Sequence, residues 1–535
     1  MPTATGIWFA SSAWNKDLFH AECAENAEIC RDGACTVSTF LLDFDKKLAY
    51  YFLDFDKFLI YYFLDFDRIL YFCSTKSIFY TMKEYFTRII DDYLIEWKND
   101  STHKPLLLRG ARQVGKSSAA KHLGKQFKYF AEINFERQRE AKAFFSGDFD
   151  VKLIAGKISN YVNVPIEPGK TLLFLDEIQE CQEAIMALRF FKEDYPDLHV
   201  IAAGSLLEFA LESLSTFGVG RIHSLFMYPM TFDEFLVATG NQGLANMRDM
   251  ADSQHPLDLP FHDKLVEMFR IYLMVGGMPE AVATWVNDKD FLRCQKVHND
   301  IILTYEDDFN KYKKKANPDL LRVVMRSVCH QVGKPVSLTK IARDVRSQLI
   351  REALRQLTQA SIIIPVIASA ANGIPLDAEA KSNRVKYLFL DPGLLLSVLQ
   401  LDQAESRQLM ELIMLGSPHD LVNKGAITEM FAGLEMARHK SPIQRPKMYY
   451  WEKTGNSTAE VDYLQIKDME VLPIEVKAST QGGMKSLWTF MREKHLHEAV
   501  RCSLENFGEF DYSNPQDNGE IRHVRIVPLY AMGKI

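Results

Sequence analysis

The stretch Gly110-Ala111-Arg112-Gln113-Val114-Gly115-Lys116-Ser117 decides the fold of this chain. It matches the pattern G-x-x-x-x-G-K-[ST] at every fixed position. A short apolar strand, Pro105–Leu108, precedes it, and a helical run to about Phe127 follows it. A strand, a glycine-rich turn and a helix in that order aim backbone N–H groups and the positive end of the helix at one anion. The sequence therefore predicts a phosphate-binding loop.

The side chains of this loop predict a nucleoside triphosphate and a divalent cation as its ligands. Lys116 would reach the β- and γ-phosphates, and the Ser117 hydroxyl would ligate Mg²⁺. We therefore expect ATP and Mg²⁺ as cofactors. Nine successive residues would surround the phosphates: Gly110, Ala111, Arg112, Gln113, Val114, Gly115, Lys116, Ser117 and Ser118.

A second motif supports the same chemistry. Thr171–Glu177 reads Thr-Leu-Leu-Phe-Leu-Asp-Glu, an apolar run that ends in two acids. Such a run is typical of a central strand in a parallel sheet, and ligands bind at the carboxyl ends of those strands. We expect Asp176 to hold the Mg²⁺ shell and Glu177 to orient and deprotonate the attacking water. The predicted class is α/β, a P-loop NTPase with a parallel sheet.

Two further residues are candidates for the same site. The strand-like stretch His199–Ser205 ends in a serine, which either senses the γ-phosphate or caps the helix that begins at Leu206. Arg221 follows Gly220 and is a candidate arginine finger or sensor, although most arginines are solvated surface residues. A finger that acts in trans would require a neighbouring subunit.

The chain resembles AAA+-superfamily ATPases of bacteria and archaea that join an ATPase domain to a C-terminal domain of unknown function. The resemblance runs from Met82 to near the end of the chain, and it implies an ATPase domain over residues 82–230. The matching stretches are Leu107–Ser117, Leu173–Gln179, Ala203–Leu206, Gly220–Arg221, Tyr228–Leu236, Gly276–Glu280 and Phe389–Leu395.

The middle of the chain predicts helices followed by a winged helix. Residues 231–315 are mostly helical in pattern, and residues 316–398 have three helical stretches before the apolar run Ile362–Ala368. The last of these helices offers Arg351 and Arg355 to a DNA groove, with three more cations just before it. The alternative is a winged helix that serves as a hinge or a protein contact.

Residues 399–535 carry four polar side chains in a pattern that resembles the core of restriction-endonuclease-like nucleases. The sequence places Glu429 on a helix, Asp462 on one strand, and Glu475 and Lys477 on the next. Positions i and i+2 of a strand share a face, so Glu475 and Lys477 project together. The resemblance implies carboxylates that hold Mg²⁺ and a lysine that helps to activate water. The other interpretation of Glu475 and Lys477 is that they are ordinary polar residues on the solvated face of a strand.

Residues 1–81 differ from the rest of the chain. They contain three tandem copies of eleven residues, Phe40–Tyr50, Tyr51–Tyr61 and Tyr62–Phe72, each with the core Leu-Asp-Phe-Asp. The repeats predict a small solenoid or a β array. The alternative is an early start assignment, with translation beginning at Met82.

Composition narrows the class of protein. The chain has 535 residues, 25% of them charged, and a formal net charge of −7. A negative net charge gives no support to the hypothesis that the protein binds nucleic acid over its whole surface. No apolar stretch reaches the length of a membrane span, and no secretory signal is evident, so we expect a cytoplasmic protein.

Three functions fit the motifs: an ATP-driven switch or motor with a protein partner or further copies of itself, an ATP-dependent nuclease acting on DNA, or a nucleotide-binding scaffold.

Overall fold

The computed structural model divides into two compact units, Met1–Glu84 and Tyr85–Ile535. In the first unit it describes the backbone of four strands. In the second it describes residues 85–205, 207–212, 220–312, 317–399, 424–453, 459–478, 483–514 and 519–535.

The N-terminal unit contains an antiparallel sheet built on the eleven-residue repeats. Its strands are β1 (Val37–Leu41), β2 (Leu48–Leu53), β3 (Leu59–Asp65) and β4 (Arg68–Ser74). Each strand pairs with the next, with Tyr51 opposite Ile60 and Tyr62 opposite Tyr71. Short connections favour antiparallel neighbours, so the repeats form a β array rather than a solenoid. Met82 lies outside the described residues.

The second unit begins with a five-stranded parallel sheet, in agreement with the predicted P-loop NTPase fold. Its strands are β5 (Leu106–Arg109), β6 (Tyr129–Asn134), β7 (Thr171–Asp176), β8 (His199–Ala203) and β9 (His223–Phe226). The strand order is β6-β7-β8-β5-β9, and every pair is parallel. Every residue of β7 is buried, because helices cover both faces.

Five helices accompany this sheet. They are α1 (Ile89–Asn99), α2 (Lys116–Gly124), α3 (Val151–Val162), α4 (Gln182–Asp194) and α5 (Leu207–Glu212). Alternate residues of β7 enter two separate cores: Leu172 and Phe174 join one, and Leu173 and Leu175 join the other. This two-residue period is what a strand buried on both faces requires.

A helical section follows, as the sequence pattern predicts. It consists of α6 (Phe232–Ala238), α7 (Gln242–Met250), α8 (Leu259–Val275), α9 (Pro279–Asp288) and α10 (Phe291–Asp308). The predicted turn Gly276–Pro279 separates α8 from α9, and a proline at the first position of α9 suits a helix start.

Three helices and a β hairpin occupy the segment predicted to be a winged helix. They are α11 (Pro318–His330), α12 (Leu338–Ile341), α13 (Ser347–Gln359), β10 (Ile363–Ser369) and β11 (Ala380–Phe389), followed by α14 (Pro392–Val398). Strand β10 also pairs in parallel with a later strand, Val366 lying opposite Met448. Strands β11 and β10 are therefore the edge of a larger sheet. A winged helix in this segment stays a prediction.

That larger sheet is mixed and has eight strands. Besides β10 and β11 it contains β12 (Met448–Glu452), β13 (Glu460–Lys467), β14 (Glu470–Val476), β15 (Glu498–Ser503), β16 (Gly508–Ser513) and β17 (Ile521–Pro528). The order is β11-β10-β12-β13-β14-β15-β17-β16.

Two helices, α15 (Lys424–Arg438) and α16 (Lys485–Lys494), cover opposite faces of this sheet. Tyr450 packs in one core with Phe431 of α15, whereas Trp451 packs in another with Phe490 of α16. Among the helices of the described residues, none is long and apolar enough to cross a bilayer.

Candidate active site

The glycine-rich loop joins β5 to α2 at the carboxyl edge of the parallel sheet. Gly110 has a φ of 137°, and a Cβ there would lie 2.1 Å from the carbonyl oxygen of Met227. Only glycine fits this turn, since both the backbone angle and the space exclude a side chain. Gln113 and Gly115 also have positive φ values, which keep the loop curved up to the first residue of α2, Lys116.

Lys116 points its ammonium group back into the loop. Its Nζ donates to the carbonyl oxygens of Gly110, at 2.9 Å, and Ala111, at 2.7 Å. Burial lowers the pKa of Lys116 to about 8, against the opposing effect of Glu177 and Asp176. Neutral carbonyls compensate a buried cation poorly, so a phosphate at this point would stabilise the charged ammonium.

Ser117 and Asp176 meet between the loop and the end of β7. The Ser117 hydroxyl lies 3.1 Å from each carboxylate oxygen of Asp176, and Asn134 Nδ2 donates to Oδ2 at 3.1 Å. Burial, followed by the neighbouring Glu177, raises the pKa of Asp176. A hydroxyl and a carboxylate are oxygen ligands of the kind Mg²⁺ takes in phosphate sites, so these residues fit the predicted ion.

Glu177 follows Asp176 in the left-handed region, with a φ of 50°. Its carboxylate accepts a hydrogen bond from Gln179 Nε2 at 2.7 Å.

Ser205 follows the adjacent strand β8. Its Oγ is buried and has no hydrogen-bond partner, so the structure does not show the helix cap considered from the sequence. A sensing role for Ser205 stays a prediction.

Arg88, just before α1, supports the loop from one side. Its guanidinium donates to the carbonyl oxygens of Val114, at 3.0 Å, and Tyr228, at 2.7 Å, and it pairs with Glu234 at 3.0 Å. Glu234 also accepts from the Thr231 N–H at 2.7 Å, within the cap of α6. These contacts join the start of the domain to the loop and to the helical section.

Helix α10 supports the loop from another side. The guanidinium of Arg112 pairs with Asp308 at 2.9 Å, and the Tyr305 hydroxyl donates to the Arg112 carbonyl oxygen at 2.8 Å. Arg112 therefore anchors the loop through its side chain, a role that the loop pattern alone does not indicate. Lys311, from the basic run 311–315, pairs with Asp308 at 3.2 Å; positions 313–315 lie outside the described residues.

Arg221 lies two residues before β9, on the surface. Its guanidinium pairs with Glu193 of α4, and its side chain is 53% exposed. An exposed arginine can reach a neighbouring molecule, so the role of a finger in trans stays a prediction.

A second cluster of acids lies in the C-terminal part. Carboxylate oxygens of Glu429, on α15, and of Glu460 and Asp462, on β13, all lie within 4.8 Å of one another. Lys386 of β11 enters this cluster and pairs with Glu429 at 2.8 Å and with Glu460. Burial raises the pKa values of Glu429 and Asp462. The carboxylates raise the pKa of Lys386 despite its burial.

Of the predicted residues, the structure places Glu429 and Asp462 in this cluster, and it adds Glu460 and Lys386. Glu475 and Lys477 form an ion pair, and the buried Oε2 of Glu475 has no hydrogen-bond partner. Asp462 Oδ2 accepts from the Val476 N–H at 2.7 Å, beside Glu475. Glu460, two residues before Asp462, follows the same strand period and was detectable from the sequence. Lys386 carries no sequence signal.

Helix α15 connects this cluster to the helical section. Near its start it carries Glu429, and at its end Arg438 donates to the Met230 carbonyl oxygen at 3.1 Å. Glu435 accepts from the Phe232 N–H at 3.1 Å. Met230 and Phe232 flank Thr231, the cap residue bonded to Glu234. A continuous set of contacts thus runs from the glycine-rich loop to α15.

Comparison with known families divides the chain into three matched segments. Residues 102–236 match the model described as "AAA domain". Residues 266–405 match "Domain of unknown function (DUF8612)", and residues 424–531 match "Domain of unknown function (DUF4143)". Comparison with curated proteins gives no match.

Solved structures give alignments of low overall similarity. The Thermotoga maritima RuvB Holliday junction branch migration motor is 18% identical over 49% of this chain and 82% of that chain, with a TM-score of 0.24. C. elegans PCH-2 is 12% identical over 52% and 91%, with a TM-score of 0.23. The S. cerevisiae Hsp104–ADP complex is 13% identical over 65% and 44%, with a TM-score of 0.25. Similarity at these scores says nothing about function. The family match and the parallel sheet that carries the glycine-rich loop support an AAA-type P-loop domain in residues 102–236.

Proposed function

We propose that this protein is a cytoplasmic ATPase that binds and hydrolyses ATP with Mg²⁺ as a molecular switch or motor coupled to a partner. One observation carries the proposal: the Ser117 hydroxyl lies 3.1 Å from both carboxylate oxygens of Asp176, next to the buried Lys116. The loop and β7 supply the two halves of this arrangement from separate parts of the sequence. The four described cysteines are free thiols, which suits a reducing compartment.

Each residue has a role that its environment supports. Lys116 would bind phosphate oxygens once it is released from the loop carbonyls, while Ser117 and Asp176 would hold the cation. Mg²⁺, when bound, neutralises charge on the phosphates. Glu177 would accept a proton from the attacking water, and the hydrogen bond from Gln179 orients its carboxylate. Ser205 and Arg221 are the proposed sensor and finger residues.

The contacts of α15 would couple the ATP site to the C-terminal part of the chain, which we propose binds the partner. A change in the loop on ATP binding would act on Arg88 and Glu234, and through Met230 and Phe232 on Arg438 and Glu435. Buried contacts that continue from one element to the next can carry such a change. The partner is either another protein or a further copy of this chain, for which Arg221 would complete the site in trans.

The first test is ATP binding and turnover by the full chain, compared with Lys116→Ala. We expect the variant to bind ATP about tenfold or more weakly, because it loses a charge-assisted contact in a buried site. Binding is measured by titration with a fluorescent ATP analogue and turnover by phosphate release. Lys125→Ala, which removes an exposed lysine after α2, is the control. Equal ATP affinity in wild type and Lys116→Ala would contradict the proposal.

A second candidate function is DNA cleavage by the acidic cluster, and the convergence of Glu429, Glu460 and Asp462 favours it. These three carboxylates fit a divalent cation, which would supply metal-assisted phosphodiester hydrolysis. Lys386 already compensates part of this charge, so the cation would compete with an internal ammonium group.

This second function predicts Mg²⁺-dependent nicking of supercoiled plasmid, which Asp462→Asn should reduce to the rate seen without metal. Asp462 also accepts the Val476 N–H, so Glu460→Gln, at a side chain that is 30% exposed, provides a second variant that should fold normally. ATP turnover by both variants serves as the control for folding. Nicking that persists in both variants, or its absence in wild type, would exclude the nuclease and leave the switch or motor.

A further inference from the structure

The segment 320–351 has a charge opposite to that of the whole chain. It contains seven lysines and arginines and a single acid, Asp344, in a protein of net charge −7. The basic residues are Arg322, Arg326, Lys334, Lys340, Arg343, Arg346 and Arg351. Arg322 pairs with Asp319 and Arg326 with Glu306, so the positive field that would attract polyanions comes mainly from the other five cations.

Part of this charge surrounds a groove between α11 and the stretch that continues into α12. The groove has a volume of about 550 Å³. Val323, Pro335 and Ile341 form the apolar part of its lining, and the charged and polar part consists of Arg326, Ser327, His330, Gln331, Ser337, Lys334 and Lys340. Cations mixed with hydroxyl and amide donors are the groups that contact phosphate and sugar oxygens in nucleic-acid complexes.

Three of the basic side chains that line the groove are open to a ligand. Lys334, Lys340 and His330 are exposed, and within the described ranges none has a carboxylate at ion-pair distance. Arg326 pairs with Glu306 at 2.8 Å, which fixes its guanidinium at the side of the groove. The groove lining contains no phenylalanine, tyrosine or tryptophan among the described residues, whereas protein interfaces depend on buried aromatic anchors. Lysine is depleted in the cores of protein interfaces, so the exposed Lys334 and Lys340 favour phosphates over a protein segment.

Helix α13, which the sequence suggested as the DNA-reading helix, is held at its C-terminal half. Arg355 pairs with Glu352 at 2.7 Å and with Glu212 of α5. Arg445 donates to the carbonyl oxygens of Thr358, at 2.8 Å, and Gln359, at 3.0 Å. These contacts pair Arg355 with two carboxylates, whereas Lys334 and Lys340, on the α11–α12 side, are exposed and line the groove.

The turn within the groove also touches the acidic cluster. Gly333, between Gln331 and Lys334, has a φ of 75°, and a Cβ there would lie 3.0 Å from Glu429 Oε2. A ligand held by Lys334 would therefore approach the part of the molecule where the carboxylates converge.

We propose that the α11–α12 groove binds the sugar–phosphate backbone of a nucleic acid, an inference that rests on the proposed function and assigns the class of its partner. Contacts to the backbone carry no sequence information, so binding is independent of sequence and depends steeply on salt.

The test measures fluorescence anisotropy of a labelled DNA duplex, and of its single strand, with the full chain over a range of salt concentrations. The groove variant is Lys334→Gln/Lys340→Gln. The control, Lys157→Gln/Lys296→Gln, removes the same charge from two exposed lysines on α3 and α10. We expect the groove variant to bind about tenfold or more weakly near 0.1 M salt, with the slope of log K against log salt reduced by about 2. The control should bind like wild type.

Three outcomes would overturn the inference: no DNA binding by wild type, equal weakening in the control, or displacement of the DNA by polyglutamate as readily as by unlabelled DNA. The last would identify the ligand as an acidic polypeptide. ATP turnover on the same preparations separates the two proposals. Turnover without DNA binding refutes only the groove, and DNA binding without turnover refutes only the ATPase.

Discussion

Replacing Glu177 by glutamine should lower ATP turnover about a hundredfold or more and leave ATP binding nearly unchanged, because a positioned base contributes typically about 10²- to 10⁴-fold to the rate. The amide oxygen can still accept the hydrogen bond that Gln179 Nε2 donates at 2.7 Å. It cannot take a proton from water at neutral pH. The substitution therefore removes the chemistry and keeps the local structure.

ATP binding and ATP turnover need to be measured on the same preparation, so that a loss of turnover can be separated from a loss of folded protein. Glu180→Gln is the matched control, since Glu180 lies three residues further on, is exposed and contacts Lys142 at the surface. Loss of turnover with intact binding in Glu177→Gln alone would support the assigned base. Full turnover in that variant would place the base elsewhere, and parallel loss of binding would make Glu177 a nucleotide-binding residue.

The parallel sheet was predictable because its signals are local. An apolar strand, a glycine turn and a helix follow one another in the loop region, and the run that ends at Asp176 has the composition of a strand buried on both faces. The rule that ligands bind at the carboxyl ends of parallel strands then places Ser117 and Asp176 together. The observed 3.1 Å contact between them agrees with this reasoning.

The supports of the loop were not predictable, because they join residues distant in sequence. Arg88 reaches Tyr228 across 140 positions, and Arg112 reaches Asp308 across 196. Arginine at either position has no local pattern that distinguishes it from a solvated surface residue. Lys386 was missed for the same reason, since only the fold brings β11 next to the acids of β13 and α15.

Helix α15 shows how such distant contacts hold the molecule together. Arg438 is buried and donates to the carbonyl oxygens of Met230 and Leu390, at 3.1 and 2.8 Å, and to the Tyr272 hydroxyl at 2.6 Å. The carboxylates of Asp391 and Glu435 each lie 3.7 Å from its guanidinium. Both acids are buried, and Arg438 provides a positive charge beside each of them, while His439 Nδ1 also lies 3.8 Å from Glu435.

Arg438→Met should therefore lower the free energy of unfolding by about 3–5 kcal/mol, because it leaves the buried Asp391 without its cation and removes one of the cations beside Glu435. Methionine has a similar length and packs well, so a loss of this size would reflect charge rather than volume. The midpoint and slope of urea unfolding measure the effect. Arg293→Met is the control, since it removes an exposed arginine paired with Asp288 at 2.9 Å and should cost far less. If both variants lost the same small amount, the Arg438 network would add little to stability, and α15 would not be the firm link between the loop and the acidic cluster that its contacts indicate.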